Sequence, residues 1–402
     1  MNKQCVLALD IGTDCIKAFL ADVQPRSLHI QSHGRVDSVR LAKGELLDSS
    51  VLSEKIKQAV ACTLPDTKLV PDSIIVGLSG LDLGTLAAVG TVAVKSGRIT
   101  ADDLFYARRA AELTIIPDTA ELVHTTQIRY SIDGHVVKGN PVGCQATSLV
   151  CECMVWVASK EILKRIKAAL SLANIQANYL VANIFALYKT TRLEDDSYLV
   201  LDIGANSIDF VICEHNEMTM SGVLPLGGDL VTQAIEKECE LDFYHAEKLK
   251  CYFSKLDPEI FGKGIMLDCS YEAGTEKNIA FDFLSDIIHN RVSAMSELVG
   301  KVLVKEMNVK GLSNVYVVGG CVAMGLLLDS LSDEIGVPVK ELDLQKIPAV
   351  YRCPDNAAGY GLLQYVQLCF AEQQAEQQRT SGREDEEAAS SFVTRIRNIL
   401  HL

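Results

Sequence analysis

Two segments of the chain carry the same pattern of apolar and polar residues. The segment from Val6 to Phe19 reads VLALDIGTDCIKAF, and the segment from Leu199 to Phe210 reads LVLDIGANSIDF. In each, a nearly continuous apolar run ends in Asp-Ile-Gly and is followed by small polar residues. Continuous apolar runs are typical of strands that are buried on both faces of a sheet. We therefore expect two buried strands, each ending in an Asp-Ile-Gly turn, about half the chain length apart.

A third segment, Asn314 to Leu328, reads NVYVVGGCVAMGLLL. It predicts a buried strand, then the pair Gly319-Gly320, then a helix. Two adjacent glycines let the backbone pass close over an adenine or a ribose, and the N-terminus of a helix attracts phosphate. This segment therefore suggests contact with a nucleoside.

The residue types of the repeated turn point to phosphate chemistry. Glycine lets backbone N–H groups approach a phosphate closely, because it has no Cβ. An aspartate beside a phosphate is favourable when a hydrated Mg²⁺ lies between them. One Asp-x-Gly alone is as well explained by a plain turn. Two copies favour a nucleotide held from both sides, with Asp10 and Asp202 as the ligands of the hydrated metal.

Composition narrows the class of protein. A chain of 402 residues is long enough for two or more domains, and 48% hydrophobic with 22% charged residues is an ordinary globular composition. The net charge of −14 argues against nonspecific DNA binding. The thirteen cysteines show no recurring C-x-x-C spacing, which argues against a zinc site. The N-terminal twenty residues do not have the pattern of a signal peptide. We expect a cytoplasmic protein with free thiols.

These motifs, in this order, resemble those of the actin-like ATPase superfamily and, within it, the FtsA family of bacterial cell-division proteins. LDIGTDCIKA resembles the first phosphate motif of that family, LDIGANSIDF the second, and VVGGCVAMGLL the adenosine motif. The resemblance implies an α/β, actin-like (ribonuclease H-like) two-domain fold with an SHS2-like 1C subdomain insertion. It also implies ATP and Mg²⁺ as cofactors, bound in the cleft between the two domains.

The resemblance assigns site residues by motif. The segments PLGGDLVTQAIEKE (225–238) and AEKLK (246–250) resemble the stretch that enters the second small subdomain, where a Glu and a Lys contact the adenosine. The nucleotide-binding residues that follow are Asp10, Gly12, Thr13 and Lys17 in the first phosphate motif, Asp202, Gly204 and Ser207 in the second, Gly227, Gly228, Glu247 and Lys250 in the entering stretch, and Gly319 and Gly320 in the adenosine motif.

An insertion distinguishes the FtsA family from other members of the superfamily. Residues 85–159 predict a strand, a helix and several strands, which is a small α+β unit. The pilus-assembly protein PilM shares this layout, whereas actin and the chaperone ATPases carry a different insertion elsewhere. The resemblance implies the following divisions: domain 1A at 1–79 and 160–194, subdomain 1C at 80–159, domain 2A at 195–226 and 296–346, subdomain 2B at 227–295, the closing helix of domain 1A at 347–370, a flexible linker at 371–386, and an amphipathic membrane-targeting helix at 387–402.

The sequence also departs from the family pattern. Ala205 and Asn206 stand where the second phosphate motif is usually rich in glycine, and Cys321 replaces the third glycine of the adenosine motif. Hydrolysis needs a group that orients the attacking water. In residues 180–190 the neutral amide that stands where such a group is expected is Asn183, which is shorter than the usual Gln or Glu. We expect nucleotide binding with slow hydrolysis.

The C-terminal segment predicts membrane attachment. On a helical wheel, Phe392, Ile396, Ile399 and Leu400 form one apolar arc, with Val393 at its edge. The side chains of Arg395 and Arg397 flank that arc, where they can extend toward lipid phosphate. Such a helix lies in the membrane interface rather than crossing it. The alternative is a C-terminal helix that packs on its own domain.

The resemblance implies a function in cell division. The chain would be a polymerising, ATP-binding actin homologue that tethers the FtsZ ring to the inner membrane from its cytoplasmic face. Its partners would be itself in a filament, the FtsZ C-terminal peptide through subdomain 2B, other divisome proteins through subdomain 1C, and membrane lipid, but not nucleic acid. A PilM-like scaffold of type IV pilus assembly and a small-molecule kinase of the same superfamily stay open as alternatives.

Overall fold

The protein is described by a computed structural model that covers residues 3–38, 48–64, 70–80, 83–137, 139–191, 193–215, 217–256, 264–269, 277–307 and 309–380. The elements of the N-terminal half are β1 (Gln4–Ile11), β2 (Cys15–Gln24), β3 (Ser27–Asp37), α1 (Ser49–Thr63), β4 (Ser73–Leu78), β5 (Leu83–Ala93), α2 (Ala101–Ile115), β6 (Ala120–Ile132), β7 (His135–Val137), β8 (Ser148–Ser159), α3 (Lys160–Leu172), β9 (Tyr179–Ala182) and α4 (Asn183–Thr190).

The C-terminal half continues the alternation of strands and helices. Its elements are β10 (Tyr198–Ile203), β11 (Ile208–Glu214), β12 (Glu217–Leu224), α5 (Asp229–Glu238), α6 (Phe243–Phe253), β13 (Met266–Asp268), β14 (Asn278–Ala280), α7 (Phe281–Glu306), β15 (Asn314–Val318), α8 (Leu327–Ile335), β16 (Val339–Glu341) and α9 (Ala357–Thr380).

The described residues form two compact units. The first contains those of 1–192 and 217–222 and those from 358 onward, and the second contains those of 193–216 and 223–357. We call them the first unit and the second unit. The two strands predicted from the repeated apolar runs are β1 and β10, and both are buried on both faces as expected. Residues 6–9 of β1 and 199–201 of β10 are at most 1% exposed.

The sequence repeat corresponds to a repeated sheet topology. One sheet has the strand order β3-β2-β1-β4-β9, and another has the order β12-β11-β10-β15-β16. In both sheets the strand that carries Asp-Ile-Gly pairs antiparallel with the next strand in the chain and parallel with a later one. The hydrophobic repeat therefore encodes two copies of one fold unit, with the Asp-Ile-Gly strand at the centre of each sheet.

The inserted subdomain has the strand and helix order that the sequence predicts. Its strands pair in the order β5-β8-β6-β7, and α2 begins with a capping box between Thr100 and Asp103. The α2 helix lies directly on β5 at Gly90, where an added Cβ would lie 1.8 Å from the carbonyl oxygen of Ala107. The side chains of Ala107 and Ala111 on that helix are fully buried. Small residues on both elements thus set the distance between helix and sheet.

An aromatic cluster joins this subdomain to the rest of the first unit. The fully buried ring of His124 on β6 stacks on Trp156 of β8, with centroids 5.1 Å apart, and contacts Phe185 of α4 at 4.6 Å. Tyr365 of α9 meets Phe185 edge-on at 5.5 Å. Burial lowers the pKa of His124 to about 3, so the imidazole is neutral in the folded protein.

The C-terminal helix differs from the prediction. Helix α9 runs from Ala357 to Thr380, so the flexible linker that was placed at 371–386 is wrong for residues 371–380. These residues read AEQQAEQQRT, which contains strong helix formers and neither Gly nor Pro, so the helix continues although the segment is polar. The membrane-targeting helix predicted at 387–402 lies outside the described residues. The boundary placed after residue 295 falls inside α7, which is one continuous helix.

Within the described part of the chain, no helix has the length and apolar character needed to cross a bilayer.

The contact at Gly90 predicts that two glycine substitutions on the same strand differ greatly in their effect on the free energy of unfolding. Gly90→Ala forces its methyl group into the backbone of α2, and we expect the free energy of unfolding of the first unit to fall by about 2 kcal/mol or more. Gly84→Ala is the control, because its methyl group would meet only Val157 at 3.6 Å. Urea unfolding followed by fluorescence of Trp156, the single tryptophan, measures both. Equal midpoints for the two variants would contradict this packing.

The neutral His124 predicts a dependence of stability on pH. Its pKa rises from about 3 in the folded protein to an ordinary value near 6.5 on unfolding, so the unfolded chain binds one more proton between these pH values. The stabilisation from the neutral ring is complete above pH 6.5 and declines as the pH falls. Between pH 7.5 and 5.5 the wild type should lose about 1.4 kcal/mol more than His124→Gln, which does not titrate. Urea unfolding of both proteins at the two pH values measures this difference, and parallel losses would show that the ring has the same pKa in the folded and unfolded states.

Candidate functional site

The two Asp-Ile-Gly turns have the same geometry. Both close a hairpin with a four-residue loop, because Ile11 pairs with Ile16 and Ile203 pairs with Ile208. In the first turn the N–H of Gly12 donates to the carbonyl oxygen three residues later at 3.2 Å, and in the second the N–H of Gly204 does the same at 2.9 Å. The repeat that the sequence shows is thus a repeat of backbone hydrogen bonding as well as of residue type.

In the first unit, the turn places a buried carboxylate between two donors. Asp10 is 4% exposed. Its Oδ1 accepts a hydrogen bond from Nδ2 of Asn183 at 2.7 Å, and its Oδ2 faces Nζ of Lys17 at 3.4 Å. Lys17 lies directly opposite Asp10 on β2 and is itself buried, so the two charges compensate each other. The structure therefore brings three of the predicted residues together around one carboxylate.

The position of Asn183 is tightly limited. It is the first residue of α4 and is 1% exposed. A Cβ added to Gly77, on the neighbouring strand β4, would lie 1.9 Å from its Oδ1, so this position of β4 needs a glycine. The Oδ1 atom has no hydrogen-bond partner within the residues that the structure describes. The amide thus donates to Asp10 and keeps a free acceptor. Gly12 and Thr13, also predicted for this site, lie in the adjacent turn.

In the second unit, Asp202 lies against the glycine pair. A Cβ added to Gly319 would lie 2.6 Å from Oδ1 of Asp202 and 2.4 Å from the carbonyl oxygen of Ile203. Gly319 also has a φ of +98°, a conformation that side chains disfavour, and its N–H donates to the carbonyl oxygen of Pro354 at 3.1 Å. The close approach of the adenosine motif to the second turn therefore depends on glycine at this position.

The element that follows the glycine pair differs from the prediction. Residues Gly320–Ala323 form a short 3-10 helix, and α8 begins only at Leu327. The prediction of a helix immediately after the glycines is wrong in position. The reason is local, because Gly325 lies between the two elements and an α-helix is weakened by a glycine in its interior.

The start of α5 also lies against the second turn. The N–H of Gly228 donates to the carbonyl oxygen of Gly204 at 3.0 Å, and that of Asp229 donates to Ala205 at 2.7 Å. A Cβ at Gly227 would lie 2.5 Å from the carbonyl oxygen of Ala205. The pair Gly227-Gly228 thus lets the N-terminus of α5 approach the turn. Ser207, which closes the same turn, is 6% exposed.

A buried cation completes the group in the second unit. Nζ of Lys250 donates to Oε2 of Glu247 at 2.7 Å, to Oγ1 of Thr232 at 2.9 Å and to the carbonyl oxygen of Gly228 at 3.3 Å. Thr232 also bonds to the Glu247 carboxylate. Sequence reasoning missed Thr232. The available signal was its position four residues after Gly228, which places it one turn into α5, but that spacing by itself does not indicate a contact with Lys250.

Cys321 links these loops. Its thiol donates to the carbonyl oxygen of Gly204 at 3.2 Å, and a Cβ at Gly228 would lie 2.8 Å from its Sγ. Burial raises the pKa of this thiol to about 12, so it stays protonated and can donate. The departure from the family glycine therefore fills the space between the second turn and α5 with a side chain that bonds to the turn.

The structure thus gathers the predicted residues into two groups. The first group, in the first unit, contains Asp10, Gly12, Thr13, Lys17 and Asn183. The second, in the second unit, contains Asp202, Gly204, Ser207, Gly227, Gly228, Glu247, Lys250, Gly319 and Gly320. Each group combines glycine-dependent turns with a carboxylate and a buried lysine, which is a donor set suited to phosphate and to a hydrated divalent cation. Among the described residues, no three His, Cys, Asp or Glu side chains are close enough together to hold a metal directly.

The comparisons with known proteins agree with this architecture. The family described as "Cell division protein FtsA" matches residues 199–361, and the "SHS2 domain inserted in FTSA" matches residues 82–157. The chain is 22% identical over 408 residues to the cell division protein FtsA of Neisseria meningitidis serogroup B, with 98% of both chains covered. It is 24% identical over 377 residues to that of Bacillus subtilis, which covers 91% of this chain and 84% of the relative.

A solved structure shows the same fold. A chain from a structure described as the PilM-PilN type IV pilus biogenesis complex aligns with a TM-score of 0.61 and 19% identity, over 89% of this chain and 97% of that one. At this identity the likeness bears on the fold alone. The predicted fold class is confirmed: the chain has the actin-like two-domain α/β fold with the SHS2-like subdomain inserted. Together with the two family matches and the relatives aligned along nearly the whole chain, this shows that the chain belongs to the FtsA family of cell-division proteins.

Proposed function

We propose that this protein binds Mg·ATP, assembles with copies of itself, and tethers the FtsZ ring to the cytoplasmic face of the inner membrane. The observation that carries the nucleotide part is the pair of hairpin turns with the same length and the same backbone hydrogen bond, each with an aspartate near the end of a buried central strand. The proposal requires each turn to contact phosphate.

The residues present fit a magnesium nucleotide. Each turn begins with a glycine, Gly12 or Gly204, which has no Cβ to hinder the approach of a phosphate. Lys17 and Lys250 supply positive charge. Bound Mg²⁺ would supply charge neutralisation of the phosphates through its water shell, held by Asp10 and Asp202. Because the amide of Asn183 is already donated to Asp10, we expect it to orient water weakly and hydrolysis to be slow.

Removal of either aspartate should weaken nucleotide binding. We expect Asp10→Ala and Asp202→Ala each to raise the dissociation constant of Mg·ATP by about tenfold or more, the scale of a lost charge-assisted hydrogen bond. Isothermal titration calorimetry with and without Mg²⁺ measures this effect, and without Mg²⁺ the variants should differ less from the wild type.

Matched controls are aspartates on exposed surfaces of the same units. Asp118→Ala in the first unit and Asp333→Ala in the second remove the same charge away from the turns. They should leave the dissociation constant unchanged. Unchanged affinity in both turn variants, with wild-type binding intact, would exclude the two turns as the nucleotide site.

A pocket in the segment assigned to subdomain 2B supports the proposed contact with FtsZ. It has a volume of about 350 Å³ and lies between the end of α5 and the first half of α7. Its lining combines the half-exposed ring of Phe283 with Arg291 and two carboxylates, Glu238 and Asp286. Apolar and charged groups side by side suit a short peptide that carries both kinds of residue. We assign the C-terminal peptide of FtsZ to this pocket and other divisome proteins to subdomain 1C.

The proposed membrane contact rests on the C-terminal sequence, which lies outside the described residues. Burial of Phe392, Ile396, Ile399 and Leu400 at a membrane interface would contribute roughly 1.5–3 kcal/mol each, less the cost of ordering the helix. Arg395 and Arg397 would add about 1 kcal/mol each on anionic lipid. A single short helix then gives reversible binding. Filament formation would combine many such weak anchors into a strong attachment.

A vesicle recruitment experiment tests the tethering function as a whole. FtsZ, anionic phospholipid vesicles and this protein are mixed and pelleted, and we expect FtsZ in the pellet when this protein is present. Phe392→Glu should remove both proteins from the vesicles, because it places a charge in the apolar arc. Arg291→Glu should remove only FtsZ. The double variant Arg395→Ala, Arg397→Ala should weaken binding mainly at low salt.

The outcomes separate the proposed function from its rivals. Lipid binding that survives deletion of residues 387–402 would remove the tail as the anchor. A protein that neither binds vesicles nor recruits FtsZ would favour a PilM-like scaffold, which the fold likeness to the PilM-PilN structure keeps open. Phosphorylation of a small molecule at a rate typical of kinases would favour the small-molecule kinase.

A further inference from the structure

A short series of contacts links the inserted subdomain to Asp10. His124 belongs to β6 of that subdomain, and its Nε2 accepts a hydrogen bond from the backbone N–H of Ala182 at 3.3 Å. Ala182 is the last residue of β9 and directly precedes Asn183, the first residue of α4. The amide of Asn183 donates to Asp10 at 2.7 Å. One backbone amide and one side-chain amide therefore connect the subdomain to the carboxylate of the first turn.

The hydrogen bond from Ala182 satisfies a donor that water cannot reach. Ala182 is fully buried, and its side chain cannot cap the N-terminus of α4. Loss of the acceptor would leave the N–H unpaired, which costs about 1–3 kcal/mol in a buried position. The structure can avoid that cost by moving the junction of β9 and α4 away from its present position. The start of α4 is therefore held in place by a side chain that comes from another subdomain.

The imidazole is suited to this role. Its ring stacks on Trp156 and contacts Phe185, which lies two residues after Asn183 on α4. Burial keeps the ring neutral, so the lone pair of Nε2 stays available to accept. A Cβ added to Gly77 would lie 1.9 Å from Oδ1 of Asn183, so the amide has little room on that side. Any movement of α4 must then change the hydrogen bond between Asn183 and Asp10.

We propose that His124 is a positioning residue for the first-unit half of the nucleotide site, through which the inserted subdomain sets the placement of Asn183 and Asp10. This inference rests on the proposed binding of nucleotide. A partner that binds the inserted subdomain and displaces β6 changes nucleotide affinity, and by linkage the nucleotide changes the affinity for that partner by the same factor.

The first test needs no nucleotide. The side-chain amide of Asn183 is observed by NMR after ¹⁵N labelling of asparagine, and its signal is assigned from its loss in Asn183→Ala. His124→Phe keeps a ring in the cluster but removes the acceptor, and we expect the Asn183 signal to shift. His124→Gln supplies an amide oxygen as acceptor and should restore most of the wild-type position. Trp156→Phe is the control that alters the stack and leaves the acceptor in place.

The second test measures the dissociation constant of Mg·ATP by calorimetry. His124→Phe should raise it by roughly threefold to thirtyfold, the range of couplings carried through packed elements. His124→Gln should stay near the wild type. The double variant His124→Phe, Asn183→Ala should bind no more weakly than Asn183→Ala alone, because both changes act on the same contact. A role confined to general stability would give additive losses.

Each result decides one point. An unshifted Asn183 signal in His124→Phe overturns the positioning role, whether or not ATP binds. A shifted signal with unchanged affinity in a wild type that binds Mg·ATP overturns the link to the nucleotide. A wild type that binds no Mg·ATP refutes the proposed function and with it that link. Should His124→Phe fail to fold, Phe185→Leu removes the ring that packs on His124 from α4 and is read by the same two measurements.

Discussion

The burial of Asp10 is the constraint on which the first unit depends. A carboxylate that is 4% exposed is costly unless opposite charge and hydrogen-bond donors surround it. Lys17 supplies the charge from the position directly opposite on β2, which ties the site to the register of the β1–β2 hairpin. Asn183 supplies the donor from the start of α4, which ties the site to the place where β9 ends. Several elements must therefore be in place before this one charge is tolerated.

The second unit has the same sheet topology with different electrostatics. The residue opposite Asp202 across its hairpin is Asp209, not a lysine, and Asp202 is less deeply buried than Asp10. Its buried cation is Lys250 on α6, which is compensated by Glu247 on the same helix. Cys321 replaces a glycine and bonds to the turn through its thiol. The two halves thus share a backbone arrangement, while the side chains around it differ.

Membership in the FtsA family and likeness to PilM describe the same fold. What separates the proposed tether from a scaffold lies in segments outside the repeated sheets: the pocket beside α7 and the C-terminal sequence. The inserted subdomain is packed on the first unit through a buried aromatic cluster and a hydrogen bond to the start of α4. The inserted subdomain is consequently connected, within one unit, to the residues that surround Asp10.

The sequence alone determined the repeated strands, their turns and the small α+β insertion, because apolar runs and glycines act over a few neighbouring residues. It misplaced the end of α9, since a polar composition does not distinguish a solvated helix from a linker. It gave no reason to select His124 or Thr232. The contact of His124 with Ala182 spans 58 residues of sequence, and that of Lys250 with Thr232 spans 18. Only the tertiary structure decided these, because burial and a hydrogen-bond partner are properties of the packed site and not of local sequence.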